Sequence, residues 1–262
     1  MRVALTIAGS DPSGGAGLQA DLKTFQQHGV YGQSVVTLLT VQNTQRVIDV
    51  AAIEPSFIEA QLEAILEDMP PSAAKTGALG NSQTIRAVAR QARKFSFPLV
   101  VDPVMISKHG QALIQKDAVE TLISELLPLA WVVTPNRYEA EALSGIEIRS
   151  QASMLAAAAA IAGLGPKHVL MKGGEIDGRS IDLLWSADLS VWLDYERIKT
   201  RSTHGSGCVF SAALTARIAL GQTPEPAARG AKRFVTDAIT SAPGLGLGIG
   251  PVNMMAPPSI AP

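Results

Sequence analysis

The residues Thr203-His204-Gly205-Ser206-Gly207-Cys208 combine a glycine turn with the only cysteine of the chain. They precede residues 209–220, which are almost entirely small or apolar and therefore predict a buried helix whose N-terminus faces the interior. Unpaired backbone N–H groups and the dipole at such a terminus stabilise the negative charge on a transferring phosphoryl group. We therefore expect a phosphate-transfer centre formed by Gly205, Ser206, Gly207 and Cys208.

Cys208 lies at the predicted helix N-terminus, where the dipole favours a negative charge. A dipole effect of up to about 2 kcal/mol corresponds to roughly 1.5 pKa units, which would bring a thiol pKa from about 8.5 towards 7. The thiolate could then accept the proton of a substrate hydroxyl. The plain alternative is a small buried apolar residue, the usual role of a lone cysteine. We assign His204 a structural role.

Another glycine-rich loop, the first glycine loop in chain order, is Gly9-Ser10-Asp11-Pro12-Ser13-Gly14-Gly15-Ala16-Gly17, and it lies between the first predicted strand and a helix. Backbone N–H groups in such a loop can approach a ligand closely, and the general assignment would be a phosphate. However, Gly15 stands where a P-loop has Lys, and the glycine spacing does not match a dinucleotide fingerprint. A tight turn without a ligand is the alternative.

Polar residues follow other predicted strands. Asn136 and Glu139 lie three residues apart on the first turns of a predicted helix, and Asp102 ends another strand. Because strand ends share one edge of an open α/β sheet, these oxygen ligands could hold Mg²⁺ there. An Asn helix cap beside a solvated Glu is the simpler explanation of the pair. Lys172, followed by two glycines, could provide a point charge near a nucleotide phosphate.

The elements that must position these residues alternate between strands and helices, which predicts a mostly parallel sheet with helices on both faces. The predicted strands cover residues 3–8, 34–40, 73–76, 99–102, 131–134 and 168–171. Three closely spaced runs predict an antiparallel edge, at residues 183–185, 191–193 and 198–200. Residues 32–50 predict either a flap over a pocket or a plain hairpin.

Two helix boundaries carry local signals. Ser56 and Glu59 have the spacing of a capping box before a helix that extends to about Asp68. Pro135 can occupy the first turn of a helix that ends near residue 144. We find no internal repeat and no charged linker, so we expect residues 1–262 to form one domain, with a weakly structured C-terminal tail after about residue 253.

Composition excludes several classes of partner. The net charge is −1 and no run of Lys or Arg exceeds two residues, so we expect neither nucleic acid nor an anionic membrane as a partner. The longest stretch of low polarity, residues 155–165, is shorter than the roughly 20 residues that span a bilayer. A single cysteine allows no internal disulfide and is consistent with the reducing cytoplasm.

With these segments assembled, the chain resembles the ribokinase-like superfamily and, within it, the hydroxymethylpyrimidine and phosphomethylpyrimidine kinases of thiamine synthesis. The resemblance extends from Ala4 to about Asn253 and is carried by residues 8–17, 19–23, 42–44, 101–105, 134–136, 172–174 and 204–208. It implies a three-layer α/β/α fold, with a mostly parallel central sheet, antiparallel edge strands and a small flap. It also implies a homodimer.

The resemblance implies that the first glycine loop binds the pyrimidine and not a phosphate. Substrate-binding positions would be Gly9, Asp21, Gln42, Ala78 and Val104. A Gln amide donates and accepts side by side, which matches the edge of an aminopyrimidine. ATP would lie over Lys172, Thr203, Asn136 and the 205–207 turn, and Mg²⁺ near Asp102, Asn136 and Glu139. Cys208 would be the catalytic base.

One departure affects the substrate. The family usually has Ile and Met where this sequence has Thr76 and Ala78, and that Met helps to form the pyrimidine pocket. We expect ATP-dependent phosphorylation of 4-amino-5-hydroxymethyl-2-methylpyrimidine and then of its monophosphate, in a roomier or shifted pocket. The alternatives are a pyridoxal or pyridoxine kinase, whose relatives share the Gly-Ser/Thr-Gly-Cys loop, and a catalytically idle ligand-binding protein on the same fold.

Overall fold

The computed structural model describes residues 1–106, 114–176 and 179–258, and within them nine strands form one sheet. In chain order the strands are β1 (Val3–Ser10), β2 (Tyr31–Gln42), β3 (Val47–Ala52), β4 (Ala73–Thr76), β5 (Leu99–Val101), β6 (Val132–Val133), β7 (His168–Ile176), β8 (Arg179–Ser186) and β9 (Leu189–Glu196). Their order across the sheet is β3-β2-β1-β4-β5-β6-β7-β8-β9.

Six strands, from β2 to β7 across the sheet, are parallel to their neighbours. At one edge β3 is antiparallel to β2, and at the other β8 and β9 are antiparallel additions to β7. Parallel neighbours need long crossovers, which helices provide, whereas antiparallel neighbours need only short turns. The predicted mostly parallel sheet with antiparallel edges is confirmed.

Helices fill the crossovers between the parallel strands. They are α1 (Gly17–Gln27), α2 (Pro55–Asp68), α3 (Ser82–Ala92), α4 (Lys116–Thr121), α5 (Arg137–Ser144), α6 (Gln151–Ala162), α7 (Ser206–Ala219) and α8 (Pro224–Thr240). A π-helical turn (Leu122–Leu126) and a 3₁₀ turn (Leu127–Leu129) extend α4 towards β6. None of the helices in the described part of the chain combines the length and the apolar character needed to cross a membrane.

Two apolar cores lie on opposite faces of the sheet, because successive side chains of a strand point to opposite sides. Leu5 and Ile7 of β1 belong to the core with α2 to α6, whereas Ala4 belongs to the core with α1, α7 and α8. Every residue of α7 from Val209 to Ala219 is buried, which explains its nearly continuous apolar sequence. The layers are therefore helix, sheet and helix, as predicted.

Several local predictions differ from the structure. Residues 198–200 form no strand, so the antiparallel edge beyond β7 consists of β8 and β9 alone within the described residues. Ser56 does not cap α2; Glu54 occupies the cap position and Pro55 begins the helix. Pro135 lies just before α5, whose cap is Asn136. The helix predicted from residue 209 begins three residues earlier, at Ser206.

The β2–β3 hairpin forms the predicted flap. Its pairing runs from Leu38 opposite Ala52 to Gln42 opposite Val47. Leu38, Thr40 and Gln42 line the large cavity described below, so this hairpin covers part of a pocket and is more than a surface connection.

The C-terminal tail has no helix, yet it packs on the rest of the protein. The Ile249 N–H donates to the Thr44 carbonyl oxygen at 2.7 Å, and the His204 N–H donates to the Gly250 carbonyl oxygen at 2.9 Å. The side chains of Val252 and Met254 are buried in the core beside α7 and α8. Backbone contacts thus connect the tail to both the flap and the segment that precedes α7. Residues 259–262 lie outside the described residues.

Candidate active site

A cavity of about 750 Å³ opens at the carboxyl ends of the parallel strands. This is the edge at which open α/β sheets bind ligands. Most of the predicted site residues line it: Gly9, Gln42, Ala78, Asp102, Val104, Asn136, Glu139, Lys172, Gly205, Ser206, Gly207 and Cys208. Asp21 and Thr203 do not line it. Side chains of α8 and β8 complete its far end, including Ser180, Asp182, Val235 and Ile239.

The glycine turn before α7 requires a left-handed backbone. Gly205 has φ +75° and caps the helix, and a Cβ at this position would collide with the carbonyl oxygen of Gly15. The first intrahelical bond runs from the Val209 N–H to the Gly205 carbonyl oxygen at 2.8 Å, and the Ser206 N–H donates to Thr203. The N–H groups of Gly207 and Cys208 therefore remain at the helix N-terminus, which is suited to an anion.

The Cys208 thiol is half-buried and lies in the first turn of α7. Burial raises the pKa of the thiol to about 11, and the Asp21 and Asp102 carboxylates act in the same direction. The Lys75 ammonium and a hydrogen bond from the Gly17 N–H lower that pKa but do not overcome burial. The expected thiol pKa near neutrality is therefore wrong for the protein without ligands, because loss of solvation outweighs the helix dipole.

Asp21, which we expected to bind the substrate, does not line the cavity. Its side chain is fully buried, and Oδ2 accepts hydrogen bonds from Thr6 Oγ1 at 2.6 Å and Lys75 Nζ at 2.7 Å. Burial raises the pKa of Asp21, against the attraction of Lys75. Lys75 itself lines the cavity. The glycine and strand-end patterns did not identify this lysine as a site residue, although a charged residue inside a buried four-residue strand is a signal in the sequence.

Asp102 and Lys172 form an ion pair on the cavity wall. Asp102 Oδ1 lies 3.0 Å from Lys172 Nζ, and Oδ2 accepts a hydrogen bond from Ser211 Oγ at 2.9 Å. Lys172 Nζ also lies close to the turn of α7, since a Cβ on Gly207 would be 3.5 Å from it. The glycine turn before α7 and the Asp102 carboxylate thus meet at Lys172. Nothing in the sequence pattern identified Ser211.

Asn136 and Glu139 form the capping box of α5, the simpler of the two readings of this pair. Asn136 Oδ1 accepts from the Glu139 N–H at 3.0 Å, and Glu139 Oε2 accepts from the Asn136 N–H at 2.7 Å. Burial raises the pKa of Glu139 to about 7, with Lys172 opposing and Asp102 reinforcing the shift. Glu139 therefore caps a helix and also interacts with the charges of the cavity.

The donor set fits a magnesium ion that is shared with phosphate. Among residues 1–106, 114–176 and 179–258, no group of three His, Cys, Asp or Glu side chains forms a metal site by itself. Mg²⁺ is usually held by one or two carboxylates together with water and substrate phosphates. Asp102 and Glu139 supply two carboxylates close enough for the charge of one to raise the pKa of the other. A cation between them would relieve that repulsion.

The other end of the cavity is lined by Gly9, Gln42, Ala78 and Val104. Gln42 Nε2 donates to Thr40 Oγ1 at 2.8 Å, and Thr40 Oγ1 donates to the Ser10 carbonyl oxygen at 2.9 Å. This chain of bonds fixes the Gln42 amide between the flap and the first glycine loop. Its oxygen and its second N–H can still bind a ligand that offers a donor beside an acceptor.

Asp11 connects the two glycine loops. Its Oδ2 accepts from the Ala16 N–H and lies 2.8 Å from His204 Nε2, and its Oδ1 accepts from the Ser13 N–H. Burial alone would raise the pKa of Asp11, but the hydrogen bonds from His204 and Ser13 prevail and lower it. The structural role assigned to His204 agrees with this contact.

The sheet is mostly parallel, and a glycine turn at a buried helix N-terminus borders a cavity at the strand ends. These features define a small-molecule kinase of the ribokinase-like class. The comparison with known proteins is more specific. The family model for phosphomethylpyrimidine kinase matches residues 11–253. The chain belongs to this family.

Similar proteins support the same assignment. A hydroxymethylpyrimidine/phosphomethylpyrimidine kinase from Synechococcus elongatus is 46% identical over 257 residues, which cover 97% of this chain and 98% of that protein. A phosphomethylpyrimidine kinase structure from Clostridium difficile has a TM-score of 0.82 and 43% identity, covering 91% of this chain and all of that one. The structure of the pyridoxal kinase from Staphylococcus aureus in complex with pyridoxal has a TM-score of 0.91 and 38% identity. The match covers 99% of this chain and 96% of that one.

Proposed function

We propose that this protein transfers a phosphoryl group from ATP to the hydroxymethyl oxygen of 4-amino-5-hydroxymethyl-2-methylpyrimidine and then phosphorylates the monophosphate to the diphosphate, as a step of thiamine biosynthesis. The observation that carries this proposal is that Gln42 and the N-terminus of α7 line one cavity of about 750 Å³. Cavities that bind small molecules and cofactors have volumes of roughly 300–1,000 Å³. The names of the relatives support the same substrates.

The pyrimidine ring binds at the end of the cavity formed by Gly9, Gln42, Ala78 and Val104. The Gln42 amide, oriented by its hydrogen bond to Thr40, presents an acceptor and a donor to the amino group and the adjacent ring nitrogen. At Gly9 a Cβ would overlap the Leu38 side chain, so only glycine permits this close approach of strand and flap. The ring is thereby held with its hydroxymethyl group towards α7.

Cys208 is the base in the first transfer. As the hydroxymethyl oxygen forms its bond to the γ-phosphorus, its proton moves to the Cys208 thiolate and the bond to the leaving ADP breaks. The N–H groups of Gly207 and Cys208 and the Lys172 ammonium stabilise the negative charge of the transferring group. Because the pKa of the thiol is about 11 in the protein without ligands, the thiol must first lose its proton to solvent, and the thiolate is the form that acts as the base in each cycle.

Asp102 and Glu139 are the carboxylates that would hold Mg²⁺, directly or through water. Mg²⁺ held there would supply positive charge that offsets the charge of the phosphates. Lys172, which is paired with Asp102, provides a second positive charge on the same wall.

The second transfer makes a different demand on the protein. Its acceptor is a phosphate monoester, whose second pKa is about 6, so the acceptor is already ionised near neutral pH. Cys208 therefore matters for the first transfer and much less for the second. Replacement by alanine should separate the two steps within one enzyme.

Product analysis by mass spectrometry tests the proposal. Wild-type protein with ATP, Mg²⁺ and the pyrimidine should form the monophosphate and the diphosphate. Cys208→Ala should lower kcat for the first transfer about 10²-fold or more and leave the second within a few-fold. A folded wild type that yields neither product contradicts the proposal, and tight nucleotide binding without turnover identifies an idle binding protein. Equal losses in both steps would show that Cys208 is not the base.

Pyridoxal is a second candidate substrate, and two observations favour it. The Staphylococcus aureus structure that resembles this chain with a TM-score of 0.91 is a pyridoxal kinase. In addition, the pocket has the short side chain of Ala78 where the family usually has Met, which leaves room for a larger ring substituent. Pyridoxal also carries a hydroxymethyl group, so the same phosphoryl transfer would apply.

The protein acts as a homodimer in the cytoplasm in this proposal. The edge strand β3 and the adjacent part of β2 expose apolar side chains, namely Leu39, Val41, Ile48 and Val50. An exposed apolar edge strand favours pairing with a second sheet. Sedimentation analysis should give twice the mass of 27.4 kDa, and Ile48→Lys should shift it to the monomer. A monomeric wild type would contradict this assembly.

A further inference from the structure

Lys75 and Asp21 form an ion pair that is fully enclosed, with both side chains at 0% exposure and Nζ 2.7 Å from Oδ2. Thr6 Oγ1 donates to the same carboxylate oxygen at 2.6 Å. A buried ion pair is a weak source of stability, because desolvation of the two charges offsets much of their attraction and apolar residues often serve as well. The phosphoryl-transfer mechanism described above uses neither residue. Their position therefore calls for a functional explanation.

Lys75 belongs to the active site through Cys208. Both residues line the same cavity, Lys75 from the end of β4 and Cys208 from the first turn of α7. The two side chains interact electrostatically in both directions: the ammonium lowers the pKa of the thiol, and the thiolate raises the pKa of the ammonium. Lys75 Nζ also lies close to Gly77, since a Cβ there would be 3.7 Å from it.

Four other groups act on the Cys208 sulfur. The Gly17 N–H at the start of α1 donates to it, and the carboxylates of Asp21 and Asp102 oppose its ionisation. The thiolate also raises the pKa of Lys172. Lys172, however, is paired with Asp102 and lies beside Gly207, where the transferring phosphate would compete for its charge. Lys75, which is held by Asp21 on the wall of the same cavity, is the cation that lowers the pKa of the thiol most.

We infer that Lys75 is a positioning residue for proton transfer: its ammonium stabilises the Cys208 thiolate, while Asp21, which is itself fixed by Thr6, holds the ammonium in place. The proton balance is that of the first transfer, in which the substrate hydroxyl proton moves to sulfur and Lys75 stays protonated throughout. This inference rests on the proposed function for its use in catalysis, whereas the link between Lys75 and the thiol can be measured without any substrate.

Because Cys208 is the only cysteine, every thiol reaction of the protein reports on it. The test compares the rate of alkylation by iodoacetamide between pH 7 and 9 for wild type and Lys75→Met. Only the thiolate reacts, so a rise of one unit in thiol pKa slows alkylation about tenfold at a given pH. We expect the alkylation rate of Lys75→Met to be lower than that of wild type by at least this factor. The double variant Lys75→Met/Asp21→Asn should also react more slowly than wild type, and it leaves no unpaired buried carboxylate that could prevent folding.

Lys232→Met is the matched control, because Lys232 also pairs with a buried carboxylate, Asp182 Oδ2, at 2.7 Å. It should leave thiol alkylation within about twofold of wild type. In turnover, the Lys75 variants should lose the first transfer and largely keep the second, as expected for Cys208→Ala. Unchanged alkylation in a folded Lys75 variant overturns the inference. A wild type that forms no product overturns the proposed function instead, so the two failures are distinguishable.

Discussion

His204 Nε2 lies 2.8 Å from Asp11 Oδ2, across 193 residues of sequence. An ionised carboxylate can only accept, so the imidazole nitrogen carries the hydrogen. This single bond joins the glycine loop after β1, on the substrate side, to the glycine turn that begins α7, on the phosphate side. The contact therefore fixes the two glycine loops relative to each other at the wall of the cavity, which both residues line.

Asp11→Asn should weaken this connection. The folded-state pKa of Asp11 lies below the usual 3.8, so the carboxylate stabilises the folded protein above that pH and the stabilisation is lost as the pH falls through the lowered pKa. The free energy of unfolding of the variant should be lower by about 1–3 kcal/mol at pH 7, and it should change less with pH below pH 4. Urea unfolding between pH 2.5 and 7 measures both. The exposed Asp68→Asn is the control, and equal acid sensitivity in Asp11→Asn and wild type would refute the prediction.

Two glycines of the α7 turn should respond oppositely to alanine. Gly205→Ala places a Cβ against the Gly15 carbonyl at φ +75°, so we expect a large fall in Tm and loss of activity. At Gly207 the nearest atom to a new Cβ is Lys172 Nζ, at an ordinary 3.5 Å. Gly207→Ala should keep or slightly raise Tm, because Ala is the better helix former by about 1 kcal/mol. It should nevertheless lower kcat/KM for ATP, since the methyl group occupies the phosphate path. Thermal unfolding and initial rates test this contrast.

The sequence predicted the three layers, the mostly parallel sheet and the positions of most strands, because the spacing of apolar residues and the alternation of strands and helices along the chain determine them. It also brought Asp102, Asn136 and Lys172, which follow predicted strands, to one edge of the sheet. It could not place Asp21, because only the tertiary structure shows that Lys75 lies between this carboxylate and the cavity. The predicted thiol pKa was wrong for the same reason, because the desolvation of Cys208 depends on neighbours that are distant in sequence.

Glu139→Gln should change the pH dependence of stability in the metal-free protein. The pKa of Glu139 is raised from 4.5 to about 7, so folding favours the protonated form and ionisation destabilises the protein as the pH rises through this window. The cumulative effect at pH 8 is on the order of 3 kcal/mol. Gln keeps the capping box, since its carbonyl can still accept from the Asn136 N–H.

The measurement for Glu139 is urea unfolding in EDTA between pH 4 and 8. The variant should be more stable than wild type at pH 8 and similar near pH 4, and turnover should require more Mg²⁺. The exposed Glu67→Gln should reproduce the wild-type profile. A Glu139→Gln profile parallel to that of wild type would show that this carboxylate does not titrate in the window.

Ala78→Met should shift the substrate preference of the pocket. Ala78 lines the cavity, and its carbonyl oxygen is fixed by a hydrogen bond from Thr37 Oγ1 at 2.7 Å, so a longer side chain at this position would extend into the ligand space. Hydrophobic pockets discriminate by about 10–200-fold per methylene-sized change. We expect kcat/KM for pyridoxal to fall at least about tenfold relative to that for the pyrimidine. Ala142→Met, in α5 at the cavity wall, is the control and should affect both substrates equally. An unchanged ratio in Ala78→Met would mean that residue 78 does not set the preference, and the explanation would have to come from the flap around Gln42.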